Sequence, residues 1–302
     1  MHDSLIFDIK RYAINDGPGI RVVIFFKGCN LHCGWCHNPE SISAKVEKMY
    51  APAKCIKCGS CVAACPEKAI TMTPDGVVTN PDLCKVCGKC AEVCPTKAIE
   101  MSGKVMTVPE IMDIIEKERI FFDQSGGGVT FSGGEPLVHS KMLLELLDEC
   151  RKRRIHTAID TAGNVSTETI LEVAKRTDLF LYDLKMMDSD LHKKWVNSSN
   201  ERILQNLKTI SEIGAQIIIR IPLIGGVNDS IENIEQTAKF ISQLAGESKE
   251  VNLLPYHNIA QNKYIKLGKS DDFEKLMEPD KSVIAKAIIK FNEYGIIATV
   301  GG

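Results

Sequence analysis

Eleven of the twelve cysteines in the 302-residue chain stand in three groups: Cys29, Cys33 and Cys36; then Cys55, Cys58, Cys61 and Cys65; then Cys84, Cys87, Cys90 and Cys94. Thiols two or three residues apart, in a chain whose first residues read as cytoplasmic, point to metal rather than disulfides, because a reducing compartment leaves thiolates free to bind. The first group reads C-x3-C-x2-C and supplies only three ligands. Three thiolates cannot fill the four corners of a 4Fe-4S cubane, so one iron keeps an open position, and an open position lets a metal centre bind and transform a substrate. His32 or His37 could fill that position instead, as histidine does in some clusters, or be an ordinary polar loop residue. Cys150 stands alone on an apolar helical stripe with Leu143, Leu146 and Leu147 and reads as a packed small hydrophobe.

The second and third groups are an internal repeat: Lys54 to Ile70 returns 29 positions later as Leu83 to Ile99, and each copy reads C-x2-C-x2-C-x3-C-P. That spacing is similar to a bacterial two-cluster ferredoxin, in which three cysteines of a run serve one cubane and the fourth serves the other. The resemblance implies one cubane on Cys55, Cys58, Cys61 and Cys94, and a second on Cys84, Cys87, Cys90 and Cys65. A structural zinc site is the plainer alternative, but zinc needs four ligands and gives no reason for a proline after the fourth cysteine in both copies.

With C-x3-C-x2-C the chain resembles the radical S-adenosylmethionine (SAM) enzymes, and further segments narrow the resemblance to the activating enzymes of glycyl radical enzymes. These segments are Asp16-Gly17-Pro18-Gly19-Ile20-Arg21, the run from Ser125 to Pro136 containing Gly133-Gly134-Glu135, Asp160-Thr161-Ala162-Gly163, Asp183-Leu184-Lys185, Arg220-Ile221-Pro222 and Leu253-Leu254-Pro255-Tyr256-His257. Any one is weak alone, but their order and spacing together are specific. The two-cluster segment resembles the longer activases rather than the short pyruvate formate-lyase activase, which lacks it.

The resemblance implies the following expectations. Cys29, Cys33 and Cys36 carry a SAM-binding 4Fe-4S cluster, so that the cofactors are three 4Fe-4S clusters, SAM and a monovalent cation. Gly133-Gly134-Glu135 binds the methionyl ammonium, Lys185 and Arg220 contact the SAM carboxylate or ribose, and Trp35, Asn38 and His257 line the SAM site. Asp160 and Asp183, with Thr161 and Tyr182, are candidates for the cation. Asp16 is the candidate for holding the substrate glycine loop, or else it opens the turn before Gly17. Reductive cleavage of SAM gives a 5′-deoxyadenosyl radical that takes hydrogen from a glycine Cα of a partner glycyl radical enzyme, with flavodoxin or ferredoxin as reductant. The rival within the superfamily is an enzyme acting on a small molecule or on anaerobic ribonucleotide reductase. A plain electron carrier would need neither the first cysteine group nor the long α/β remainder. One departure concerns Trp195 to Asn200, where the short activase has a glycine turn; Asn197 can take the left-handed conformation that such a turn needs.

These residues must be held by a scaffold. Strand patterns fall at Arg21 to Lys27, Gly128 to Ser132, Ile155 to Ile159, Leu179 to Leu184, Gln216 to Ile221, Glu250 to Leu254 and Ile296 to Val300. Between them lie helical patterns at Val108 to Glu118, Lys141 to Arg153, Thr167 to Lys175, Glu201 to Ile213, Ile231 to Leu244 and Lys281 to Glu293. Repeated strand and helix units imply α/β architecture with a parallel sheet, but do not decide between an open sheet and a barrel. The resemblance implies a partial (β/α)6 barrel from residues 1–50 and 101–302, interrupted by a ferredoxin-like unit at 51–100. Most of the chemistry-bearing motifs begin where a strand ends, which is where barrel active sites lie.

Composition narrows the partners. The balance of 37 basic and 39 acidic residues, net −2, gives no global field for nucleic acid or anionic lipid. The longest apolar stretch, Ile217 to Val227, is broken by Arg220 and Pro222 and is no membrane span. Met1 to Arg11 lacks the apolar core of a signal peptide. The expectation is a cytoplasmic monomer whose partners are proteins.

Overall fold

A computed structural model describes residues 3–246, 249–269 and 276–301. Strands β1 (Asp3–Ala13) and β2 (Arg21–Phe26) pair antiparallel. The chain then leaves the sheet through the first cysteine group and forms β3 (Glu47–Tyr50), α1 (Ser60–Ala63), the hairpin β4 (Ile70–Thr73) and β5 (Gly76–Thr79), α2 (Lys89–Glu92) and β6 (Ile99–Ser102). It returns through β7 (Lys104–Thr107), α3 (Val108–Lys117) and α4 (Arg119–Ser125). Strand and helix then alternate through β8 (Gly128–Gly133), α5 (Ser140–Lys152), β9 (His156–Thr161), α6 (Thr167–Ala174), β10 (Leu179–Asp183), α7 (Ser189–Val196) and α8 (Glu201–Glu212). The chain ends in β11 (Ile217–Leu223), α9 (Ile231–Ser242), β12 (Glu250–Pro255), α10 (Gln261–Leu267), α11 (Lys281–Glu293) and β13 (Ile297–Val300).

The main sheet has nine strands in the order β13-β12-β11-β10-β9-β8-β2-β1-β7. From β2 to β13 every neighbour is parallel, giving seven parallel strands joined by six crossovers, with β1 and β7 added antiparallel at one side. β13 and β7 form the two edges, so the sheet is open, and its six strand–helix units match the (β/α)6 expectation. β8 and β10 are buried almost throughout, as apolar runs must be when both faces of a parallel sheet are covered. The helices bury one stripe each; α5 does so with Met142, Leu143, Leu146, Leu147 and Cys150. Cys150 is fully buried, burial pushes its thiol up to about 12, and its Sγ lies 3.9 Å from the Met112 sulfur, in keeping with its reading as a core residue.

Each expected strand and helix appears within two residues of its expected ends. The sequence patterns missed β1, read there only for the absence of a leader, the strands β3 to β7, and the short helices α1, α2, α4, α7 and α10. Met1 and His2 of that first segment lie outside the described residues. β9 runs on through Asp160 and Thr161 because both remain in register with Leu181 and Tyr182 of β10. Asn197 takes φ 59° and ψ 31° at the end of α7, so the turn expected of it is present.

The segment between β3 and β6 builds its own small core from Cys61, Ile70, Val77, Cys90 and Ile99. It is joined to the sheet by the β3–β6 ribbon, whose first pair, Glu47 and Ser102, abuts the fully buried Lys27 at the end of β2. The Lys27 ammonium donates to Glu47 Oε2 at 2.8 Å and to the Glu40 carbonyl.

Burial holds the imidazoles of His139, His156 and His192 below their usual value. His139 bridges the Lys27 carbonyl at 3.0 Å and the Ser4 hydroxyl at 3.1 Å, an arrangement that the neutral ring satisfies with one donor and one acceptor. A depressed histidine stabilises the fold above its unfolded value of about 6.5, and that contribution is lost as pH falls through the folded value. Thermal midpoints should therefore drop between pH 7.5 and 5.5, and the drop should be smaller in His139→Gln.

Candidate active site

The C-terminal ends of β8 to β12 surround an open cavity. Cys29, Cys33 and Cys36 line it together with Trp35, Asn38, Gly133, Gly134, Asp160, Asp183 and Lys185. Backbone hydrogen bonds fix the cysteine loop: Gly28 N to Ser41 O at 2.7 Å, Cys29 N to Ile42 O at 3.0 Å, Gly34 N to Trp195 O at 2.9 Å and His32 N to Val196 O at 3.1 Å. Leu31 and Trp35 are buried and anchor the loop in the main core. The loop is thus held at one end by its own return and at the other by the end of α7.

Burial pushes the Cys29 and Cys36 thiols up to about 12 and raises Cys33 as well, against the pull of the nearby Lys185 ammonium. Without metal these groups are protonated at neutral pH, so binding iron releases protons. Burial also opposes the charge on Lys185, but Asp183, whose Oδ2 lies 2.8 Å from the ammonium, outweighs it.

A shelf of backbone forms the wall beside the cysteines. Gly133 has φ +119°, and a Cβ there would stand 2.3 Å from the Phe26 carbonyl oxygen. At Gly134 a Cβ would stand 2.3 Å from the Gly28 carbonyl oxygen and 2.8 Å from that of Ser41. Glu135 lies behind the shelf and is not among the residues on the cavity wall. Its Oε1 accepts from Thr161 Oγ1 at 2.7 Å and from Leu137 N at 3.1 Å, and its Oε2 accepts from Ala162 N at 3.0 Å. Burial pushes the carboxyl up to about 7 while those three donors favour its charge, so it ties the β8 loop to the end of β9.

Asp160 accepts from Ser132 Oγ at 2.7 Å, and burial raises its carboxyl against the opposing charge of Arg220. Arg220 Nη1 is 3.6 Å from Asp160 Oδ1. Arg220 lies on the same face of β11 as the cavity-lining Pro222, one side-chain step below it, and its buried Nε and Nη1 have no hydrogen-bond partner. Asp16 sits 3.7 Å from Lys10, and its charge acts on both Asp160 and Arg220.

Like Asp16 and Arg220, the expected positions Tyr182 and His257 are not on the cavity wall. The Tyr182 hydroxyl donates to the Ile203 carbonyl at 2.7 Å, toward the helix layer. His257 is exposed and pairs with Glu278 at 3.6 Å, off the cavity wall. Tyr256 takes the wall position instead, with its ring 5.7 Å from that of His37 and its buried hydroxyl unpartnered. Asn38 is on the wall, and its side-chain oxygen accepts from Lys263 at 2.7 Å.

Buried amides that the sequence patterns did not single out position these groups. Asn228 donates to the carbonyls of Lys185 at 2.7 Å and Pro222 at 2.6 Å and accepts from Ile224 N at 2.8 Å. Asn200 donates to the carbonyls of Met186 and Met187. Asn228→Ala strands three buried backbone groups, and at about 1 kcal/mol or more for each it should cost about 3 kcal/mol in denaturant unfolding.

In the insert, Cys55, Cys58, Cys61 and Cys94 surround one small cavity, and Cys65, Cys84, Cys87 and Cys90 surround another. This is the grouping that the resemblance to a two-cluster ferredoxin implies. The backbone repeats too, with Lys57 and Val86 at φ 57° and 52°, and Gly59 and Gly88 at 75° and 83°. Among the described residues no three His, Cys, Asp or Glu side chains converge tightly enough for a single ion. A cubane is larger than one ion and takes its cysteines on different irons, so the two observations are compatible.

The residues present fit the groups that the motifs imply: three thiols share one cavity with a glycine backbone shelf and the Lys185 side chain, and the nearby Arg220 keeps two buried guanidinium nitrogens without a hydrogen-bond partner. Residues 23–241 match the family profile of the Radical SAM superfamily. The chain is 42% identical over 303 residues to the trans-4-hydroxy-L-proline dehydratase activating enzyme of Clostridioides difficile, covering 99% of this chain and 100% of the relative. It is 38% identical to the (2S)-3-sulfopropanediol dehydratase activating enzyme of Klebsiella oxytoca, covering 99% and 97%. A crystal structure of a domain of pyruvate-formate lyase-activating enzyme from Bacteroides vulgatus aligns with TM-score 0.50 at 39% identity, over 58% of this chain and 99% of that one. Among the described residues no helix is long and apolar enough to cross a membrane.

Proposed function

The chain belongs to the radical SAM superfamily and, within it, to the activating enzymes of glycyl radical enzymes, and from that premise we propose how its residues divide the work. When bound, a 4Fe-4S cluster and SAM supply reductive cleavage of the C5′–S bond to methionine and a 5′-deoxyadenosyl radical, which takes a hydrogen atom from a glycine Cα of the partner enzyme. Cys29, Cys33 and Cys36 would hold that cluster at three of its corners, and SAM would meet it at the corner without a cysteine. The Gly133 and Gly134 backbone receives the methionyl ammonium, with Glu135 fixing the shelf from behind. Lys185 and Arg220 meet the carboxylate or ribose, and Asp160 and Asp183 with Thr161 offer oxygens to a monovalent cation. Trp35, Asn38 and Tyr256 close the wall against water, and Asp16 holds the entering glycine loop. The observation that carries this reading is the convergence of the three cysteines, the glycine shelf and Lys185 on one cavity.

Residues 51–100 form a ferredoxin-like unit holding two further 4Fe-4S clusters, and residues 1–50 and 101–302 form the barrel. A flavodoxin or ferredoxin reduces the protein, which works as a cytoplasmic monomer. The repeat, its two cysteine-lined cavities and the separate small core support this division. The test is anaerobic: protein reconstituted with iron and sulfide, reduced and given SAM should form 5′-deoxyadenosine. None from fully loaded protein, with or without a glycyl radical enzyme, would refute the proposal.

A further inference from the structure

The two copies of the cysteine repeat differ in charge where they face their cavities. Ile56 and Ser60 beside the first set correspond to Lys85 and Lys89 beside the second. Accordingly no charged side chain lines the cavity of Cys55, Cys58, Cys61 and Cys94, whereas Lys48, Lys85, Lys89 and Glu67 line that of Cys65, Cys84, Cys87 and Cys90. Lys48 is half-buried, donates to the Thr79 hydroxyl and forms no ion pair with a carboxylate among the described residues. Its charge is screened less than those of the exposed Lys85 and Lys89.

The β3–β6 ribbon orders the two cavities. Its pairs run outward from Glu47 and Ser102, which abut Lys27 two residues before Cys29, to Lys48 and Met101, and on to Tyr50 and Ile99. Lys48 and Met101 line the second cavity, while Ile99 lines the first. Two residues along a strand are about 7 Å. The lysine-lined set is therefore the inner one, nearer the ribbon's junction with the SAM-side loop.

Resting on the two-cubane reading above, we propose that Lys48, with Lys85 and Lys89, sets the reduction potential of the inner set Cys65/Cys84/Cys87/Cys90 above that of the outer set Cys55/Cys58/Cys61/Cys94. Nearby positive charge favours the more negative, reduced form of an iron–sulfur group, and net charge and solvent exposure are the protein's levers on that potential. The gradient of positive charge points along the ribbon toward the SAM cavity.

The test is a potentiometric titration of the reconstituted protein followed by EPR. Two insert signals with separate midpoints are expected; Cys87→Ala should remove the higher and Cys58→Ala the lower. Lys48→Met, Lys85→Ile and Lys89→Ser, combined, should move the higher midpoint down toward the lower one and leave the lower unmoved, and Lys48→Arg should restore most of the shift that Lys48→Met causes. If the Lys48 variant fails to load, Lys85→Ile with Lys89→Ser alters only exposed side chains and should still shift the higher midpoint. Equal midpoints, equal shifts in both signals, or loss of the higher signal in Cys58→Ala would overturn the proposal. Wild-type protein that binds only four irons would overturn the two-cubane reading itself, an outcome distinct from eight insert irons at one shared potential.

Discussion

In Cys36→Ala the formation of 5′-deoxyadenosine should fall by at least about 10³-fold, equivalent to ~4 kcal/mol of barrier, while the iron content of reconstituted protein drops by about four. The argument is ligand arithmetic. The cavity has three cysteines and its cubane needs all three, since one corner is already given to substrate. The loop's own fixtures, Gly28 to Ser41 and Gly34 to Trp195, do not involve the Cys36 side chain, so the fold should survive. Cys150→Ala is the control, because that thiol is buried against Met112 far from the three groups in sequence and should leave cleavage unchanged. Iron analysis and product chromatography on the same samples check both halves.

Gly134→Ala should abolish SAM binding and lower the thermal midpoint on the order of 10 °C, for a cost above about 3 kcal/mol. The added methyl would meet two backbone carbonyls, those of Gly28 and Ser41, rather than a flexible side chain that could swing away. Those carbonyls belong to the segments entering and leaving the cysteine loop, and Gly28 also accepts from Glu135 N at 2.9 Å. Relief of the clash must move the loop, so stability and ligand binding should fail together. Calorimetric melting and equilibrium dialysis with SAM measure the two effects. Tight SAM binding by a stable variant would show that the shelf is not where the ligand lies.

Much of the scaffold was legible because β2, β8 and β10 are buried on both faces and the longer helices on one, which leaves period and run length as plain signals. The cysteine groups were legible because ligand spacing within a loop is local. Asn197 was legible because a left-handed turn restricts residue type at that one position. What could not be read depends on faces and on distant partners. Tyr256 and His257 are neighbours at the end of β12, and successive residues there point opposite ways, so the motif alone could not say which meets the cavity. Glu135 has the residue type of a ligand, but its three donors come partly from residues 26 and 27 positions away. Asn228 holds the Lys185 carbonyl from 43 positions away, and nothing local marks an amide for that task. β1 was missed because its apolar alternation is irregular and its pairing with β2 carries two register shifts.

The most direct measurement combines the reduced, reconstituted protein with SAM and glycyl radical enzymes whose glycines carry deuterium at Cα, including those of the hydroxyproline and sulfopropanediol types. The account predicts a glycyl radical EPR signal on a partner and one deuterium carried into each 5′-deoxyadenosine formed with it. Rapid formation of unlabelled 5′-deoxyadenosine, with no glycyl signal on any partner and a small molecule consumed instead, would contradict it.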